Sequence, residues 1–469
     1  MNYEKLGLKS GIEIHQQLDT NKLFCSCPSI LRKDPGKIVQ RKMNIAKGEQ
    51  GDIDEAVKFE ATRDRIFEYE YYDTNCLVEL DESPPELINQ EALKIALEIA
   101  LLLNCKILQN SQIMRKTVID GSNTSGFQRT ILIARNGYIE TEQGKVGIQT
   151  VMLEEDAARI ISQEKNKVKY RLDRLGIPLV EIATAPDIKT PEQAKETALH
   201  IGEILRACKV KRGLGTIRQD VNMSIKNSSR IEIKGVQNPD LIAKVIKSEI
   251  KRQEQLVKKK KSKPEVRKAL VSGETEFLRP LPGSARMYPE TDLPLLKMKK
   301  QFIDKIRSNL PRLRKELREE LKKKGLKDNL IQLLIKDNIV DEFQALLKIY
   351  NKPEFVAKVM TIYRRDIKTK TKKQLTIDQI ENLLHEIKKN NLHPRDIREA
   401  MIEIAKGKSI KESVKKEKVG KAELEEEIVK IIKSKPNLSE KAYMGLIMGK
   451  YKGKVSGKEI SDILKKHVK

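Results

Sequence analysis

One stretch, LPGSARMYPETDLP at residues 281–294, limits the architecture of this chain more than any other. Its three prolines and one glycine suit a fixed loop and neither a helix nor a strand. Before it, short β-branched runs alternate with glycine turns and a few helices. After about residue 295, glycine becomes rare and helical periodicity takes over. A chain divided in this way is expected to be α+β, with a mixed-sheet domain over 1–295, an all-helical domain over 296–405 and a small helical tail over 406–469. At 469 residues it is too long for one hydrophobic core.

Charge narrows the partners. Lysine and arginine total 93 against 67 acidic residues, a net charge of +26, and 17 of those net charges fall in residues 301–469. A polyanion is the natural partner, and RNA is favoured because no membrane signal accompanies the charge. The most apolar run, ALKIALEIALLL at 92–103, is interrupted by Lys94 and Glu98 and is too short to span a bilayer. The start, MNYEKLGLKSG, lacks the apolar core of a secretory peptide, so a cytoplasmic protein is expected. Aromatic residues make up only 4% of the chain, which favours recognition of RNA by backbone and shape over base stacking.

Five cysteines, at 25, 27, 76, 105 and 208, are too sparse for a disulfide framework. Cys25, Cys27 and Cys76 could supply three thiolates, but structural zinc takes four ligands and no fourth is evident. Zinc is therefore disfavoured.

The chemistry concentrates in a few polar residues set in apolar runs. In GIEIHQQLD, residues 11–19, a strand's period of two puts Glu13 and His15 on one face and Ile12 and Ile14 on the other. Glu181 lies between Val180 and Ile182 in RLGIPLVEIAT, where a carboxylate is costly unless compensated. Glu154, Glu155 and Asp156 follow another apolar run. Two carboxylates and an imidazole can hold a divalent cation. Ion pairs to Arg129, Arg159 or Arg174 are the alternative. Asp120, Gly121, Ser122 and Asn123, in the polar loop 120–126, offer donors to an anion, although the loop matches neither a Walker sequence nor GxGxxG. Arg218 and Arg286 carry the planar donor fork that suits phosphate.

Elsewhere, TPEQAKETALHIGEILRAC is expected to be a helix capped by Thr190, with Pro191 in its first turn and Gln193 completing the cap. GTIRQDVNMSIKNSSRIEIKG suggests a hairpin turning at Asn-Ser-Ser. Residues 236–272 look helical and strongly basic, 366–373 a lysine-rich loop, and the last helix is expected from about Ser461.

These segments together resemble one family. GLKSGIEIHQQLDTNKLFCSCPS, TNCLVELDESPPELIN, IDGSNTSGFQRT, LEEDAA, RLGIPLVEIAT, GTIRQDVNMSIK, RIEIKGV and RPLPGSARMYPETDLP are similar to the archaeal E subunits of glutamyl-tRNA(Gln) amidotransferases, kin of the bacterial and organellar B subunits. MGLIMGKYKGK resembles the family's tail domain. The resemblance implies a catalytic cradle domain over the first 295 residues and a tRNA-binding tail. It implies that ATP phosphorylates the γ-carboxylate of glutamate esterified to tRNA(Gln), and that ammonia displaces the phosphate to leave Gln-tRNA(Gln). His15, Glu154 and Glu181 match the family's metal-site residues, with Glu13 beside them. ATP and Mg²⁺ are the implied cofactors, with Mn²⁺ as an alternative ion. The implied ammonia donor is an asparaginase-like D subunit in a D2E2 heterotetramer.

The chain departs from the family twice. Only about 35 residues, 238–272, lie where the archaeal members carry a domain resembling aspartyl-tRNA synthetase. Val78 and Glu79 stand where a CxC…CxxC zinc set would carry a further cysteine. Two other readings compete. A tRNA-binding scaffold without chemistry fits the basic charge but gives Glu181 no purpose. An aminoacyl-tRNA synthetase predicts HIGH and KMSKS strings, and neither occurs.

Overall fold

The computed structural model describes residues 2–42, 65–118, 120–213, 215–281, 287–337, 339–390, 397–414, 421–436, 438–451 and 457–467. It is α+β, with a mixed-sheet N-terminal part and a helical C-terminal part. Two compact units meet in sequence at Leu313 and Arg314.

The first unit is built on an eleven-stranded sheet. Its strands are β1 (Lys9–Gln17), β2 (Ile113–Thr117), β3 (Phe127–Thr141), β4 (Gly144–Glu155), β5 (Pro178–Thr184), β6 (Ile217–Ser224), β7 (Ile231–Lys234), β8 (Glu265–Ala269), β9 (Thr275–Pro280) and β10 (Met287–Pro289). They run in the order β9-β8-β7-β6-β1-β5-β4-β3-β2-β10, with Lys106–Ile107 pairing beside β3. Among the described strands of this sheet only β7 and β8 are parallel neighbours, and they are joined by the helix Pro239–Lys258, since a parallel connection needs a crossover.

Alternation decides which face is covered. Ile12 and Ile14 of β1, Val151 and Leu153 of β4 and Val180 and Ile182 of β5 all enter one core with the helices α1 (Gln90–Leu102), α2 (Pro191–Ala207) and α3 (Pro239–Lys258). The intervening residues Glu13, His15, Glu154 and Glu181 are thereby turned to the opposite face. The cap of α2 is as the sequence suggests. Thr190 accepts from Gln193 N, while Gln193 accepts from Lys189 N, and Pro191 opens α2. Asn89 caps α1 by accepting from Glu91 N and Ala92 N. The hairpin of β6 and β7 is present, with Asn227 at φ 64° in its turn. Gly137 has no substitute: a Cβ there would lie 2.3 Å from Cys105 Sγ.

A second, four-stranded sheet packs Phe67, Tyr69, Val168 and Tyr170 into its own small core. The C-terminal unit is helical. Leu330, Phe343, Met360, Ile380 and Met401 belong to one core, and Leu424, Ile428, Tyr443, Ile447 and Leu464 to another.

Three expectations change. Residues 236–272 are not helical throughout, because Glu265–Ala269 forms β8 and buries Val266 beside β7. The lysine-rich segment near 366–373 is helical over Arg364–Thr371, since Ile367 is fully buried and anchors that turn. The last helix starts at Gly457, earlier than Ser461. No helix among the described residues is long and apolar enough to cross a membrane.

Candidate active site

Register assembles the site. His15 of β1 stands opposite Glu181 of β5 on one side and Arg218 of β6 on the other, while Glu13 stands opposite Asp220. His15 Nε2 lies 3.2 Å from Glu181 Oε2 and 3.4 Å from Glu13 Oε1. Ligand atoms of Glu13, His15 and Glu181 all fall within 4.8 Å of one another, close enough to share one cation.

Glu154 sits alongside with its oxygens already engaged. Oε1 accepts from Lys116 Nζ at 2.5 Å and Thr130 Oγ1 at 2.8 Å, and Oε2 accepts from Gln128 Nε2 at 2.9 Å. Lys116 Nζ is also 3.5 Å from Glu181 Oε2, so one ammonium ties Glu154 to Glu181. Lys116 escaped the sequence expectations, because a lysine in IMRKT reads as a solvated strand residue.

Charge follows this crowding. Burial and then the Glu181 charge raise the Glu154 carboxyl above its ordinary range. Burial would raise Glu181 too, but Lys116 and His15 outweigh it and hold that carboxyl well below the ordinary range. Burial, then Glu181, pushes Glu13 up to about 7. Burial alone would lower His15; its bond to Glu181 and the nearby carboxylates raise it instead. A cation binding at His15 Nε2 would have to displace that proton.

The three consecutive acids part company. Glu155 pairs with Arg129, which also meets Glu290. Asp156 accepts from Arg218 at 2.8 Å and from Gln17 at 2.6 Å, with Arg174 at 3.7 Å. Arg159 serves Asp173. The arginines thus neutralise Glu155 and Asp156, and Lys116 is the cation that meets Glu154 and Glu181. Arg218, the cross-strand neighbour of His15, is held by Asp156 and is 31% exposed in its side chain.

The loop 120–126 is engaged by other partners than the cluster of Glu13, His15 and Glu181. The Asp120 and Gly121 carbonyls accept from Tyr170 and Tyr69, Ser122 N donates to Asp120 Oδ1, and Thr124 Oγ1 donates to the Glu79 carbonyl. Asn123 is buried and its Oδ1 has no partner in the protein. Asn123 and Thr124 border a cavity shared with Cys25, Glu79, Arg129 and Glu155. Arg286 lies outside the described residues.

A second cluster gathers Cys25, Cys27, Cys76 and Glu79, with donor atoms within 4.8 Å of one another. Glu79 Oε2 accepts from Cys76 N at 2.8 Å and Cys76 Sγ at 3.0 Å, while Oε1 pairs with the wholly buried Lys22. Glu79 is the fourth donor that the cysteine count lacked, and the set has the number and kind of ligands that zinc takes.

Comparison with known proteins places the chain in a family. The model of the GatB/GatE catalytic domain matches residues 8–304. The chain is 40% identical to the E subunit of the glutamyl-tRNA(Gln) amidotransferase of Methanocaldococcus jannaschii, 35% to that of Methanococcus maripaludis and 32% to that of Sulfurisphaera tokodaii. Each alignment covers 100% of this chain and 99% of the relative. The first runs over 629 positions against 469 residues here, a difference of 160, so a domain-sized length of the relative has no counterpart in this chain.

Proposed function

Because the chain belongs to the GatB/GatE family, we propose that it performs the synthetic half of a tRNA-dependent amidotransferase. In this reading ATP transfers its γ-phosphoryl group to the γ-carboxylate of glutamate esterified to tRNA(Gln), releasing ADP. Ammonia then attacks the acyl phosphate and phosphate leaves, giving Gln-tRNA(Gln). The observation that carries the reading is the set of Glu13, His15 and Glu181 donors on one sheet face, with Glu154 and Lys116 beside them.

A carboxylate is a poor electrophile, and phosphorylation supplies its leaving group. A divalent cation, Mg²⁺ or Mn²⁺, bound there would neutralise the charges that converge when carboxylate meets triphosphate. Glu13, His15 and Glu181 would hold that cation, and Glu154, its oxygens taken by Lys116, Thr130 and Gln128, would stand beside it. Arg218, fixed by Asp156, would aim its donor fork at a phosphate, and Lys116 would balance the excess negative charge. Basic residues in 300–469 would contact the tRNA backbone, so affinity should fall as salt rises. The ammonia would come from an asparaginase-like D subunit in a D2E2 assembly in the cytoplasm.

The test is release of ADP and phosphate from ATP by the purified chain, with Glu-tRNA(Gln), Mg²⁺ and an ammonium salt. Release that depends on the glutamyl group supports the reading. Tight tRNA binding with no ATP cleavage, even with the D-type partner present, would leave only a scaffold.

A further inference from the structure

The site described above accounts for the reacting carboxyl group but not for the nucleoside that carries it. At the end of β1 the chain turns at Asp19, whose backbone N donates to the Lys209 carbonyl at 3.2 Å. Around this turn lies a cavity of about 620 Å³, within the size range of ligand sites, lined in part by Asp19, Asn21, Ser29, Ile30, Lys209 and Lys211. Asp19 is four residues beyond His15, about 13 Å at the rise of a strand. The two regions are linked through polar side chains. Gln16 Nε2, next to His15, donates to the Lys211 carbonyl at 2.9 Å, and Gln17 Nε2 donates to Asp156, which accepts from Arg218 opposite His15.

We infer that this cavity receives the 3′-terminal nucleoside of the aminoacyl-tRNA, with its phosphodiester, while the glutamyl group extends to His15 and Glu181. The inference rests on the transamidation reading, which places the esterified glutamate at those residues. Its own support is the chemistry of the lining. Asp19, exposed at the mouth, is a carboxylate of the kind that accepts from a ribose hydroxyl. Lys209 pairs with Glu91 at 2.6 Å, and because both side chains are exposed it can exchange that weak partner for a phosphodiester. Ile30, 52% exposed, offers an apolar surface to a base. The two lysines are balanced by Asp19 and Glu91, which suits one phosphodiester better than the clustered charges of a free nucleoside triphosphate.

The test compares wild type with the double variant Asp19→Asn, Lys209→Met, both positions being exposed, after thermal unfolding confirms an intact fold. Dissociation constants are measured for deacylated tRNA(Gln) and for the same tRNA without its terminal adenosine. Removing the adenosine should weaken wild-type binding about tenfold, the loss of one charge-assisted hydrogen bond. The variant should bind both RNAs alike, at the affinity wild type has for the shortened one. A truncation penalty that persists in the variant, or none in wild type, overturns the inference. So does a variant with weakened ATP binding and unchanged tRNA binding, which would assign the cavity to the adenosine of ATP. Because no turnover is needed, a chain that recognises the terminal nucleoside but transfers no phosphate would sink the transamidation reading alone.

Discussion

His15 and Glu181 face each other directly across β1 and β5, with Nε2 of the histidine 3.2 Å from Oε2 of the glutamate. The pairing is fixed by the opposite face, since Ile14 and Ile182 are fully buried in the core behind them. A slip of either strand by one residue would bury its polar group and expose its isoleucine, so the apolar core holds the polar register.

Glu181→Ala removes the hub of the cluster and leaves His15 and Lys116 without their shared acceptor. Transamidation should fall by at least about a hundredfold. Affinity for deacylated tRNA should stay at the wild-type value. Activity kept with Mg²⁺ while tRNA binding collapses would assign Glu181 to RNA recognition instead.

Lys116 is the only cation paired to Glu154 among the described residues, and Glu154 is 1% exposed. Lys116→Met should therefore cost about 3 kcal/mol of stability, because it strands a buried carboxylate. Adding Glu154→Gln to it should restore part of that loss. Urea unfolding of the two single variants and the double variant measures this. If the double variant is as unstable as the sum of its parts, the two residues are not coupled.

Lys22 and Glu79 make a second buried pair, their side chains 0% and 3% exposed. Lys22→Met should lower stability by about 3 kcal/mol. Lys22→Met with Glu79→Gln should recover most of it, since glutamine can still accept from Cys76 N. A single variant as stable as wild type would show that another cation neutralises Glu79.

Much of this was legible from spacing. The alternation in GIEIHQQLD set the faces of β1, and Thr190, Pro191 and Gln193 marked the start of α2 because capping is local chemistry. What escaped depends on partners distant in sequence. Lys116 reaches Glu154 only because β2 lies two strands from β4, and nothing around IMRKT encodes that order. Glu79 joins three cysteines through a fold that brings residues 25–27 against 76–79, whereas ligand counting looks for cysteine and histidine. The loop 120–126 has the composition of an anion-binding turn, but Tyr69 and Tyr170 engage its carbonyls and the turn is packed against the small sheet.

Glu13 makes the cluster sensitive to pH. Burial, followed by the Glu181 charge, raises its carboxyl from 4.5 to about 7 in the folded chain. The folded state therefore holds this proton more tightly than the unfolded state does. Stability is highest from this group below pH 4.5, declines as pH rises toward 7, and carries a constant penalty above that. Glu13→Gln keeps a neutral side chain of the same shape at every pH. With EDTA present to strip divalent ions, the variant should gain on wild type between pH 4.5 and 7, by on the order of 3 kcal/mol at the upper end. His15 is raised as well, so its contribution is also lost as pH climbs through its folded value, but its largest support is Glu181, which the variant retains. Unfolding curves for the two proteins at about pH 5 and about pH 8, on either side of the folded value, decide the matter. Parallel losses would mean that Glu13 is ionised at both pH values and that its neighbours already satisfy its charge.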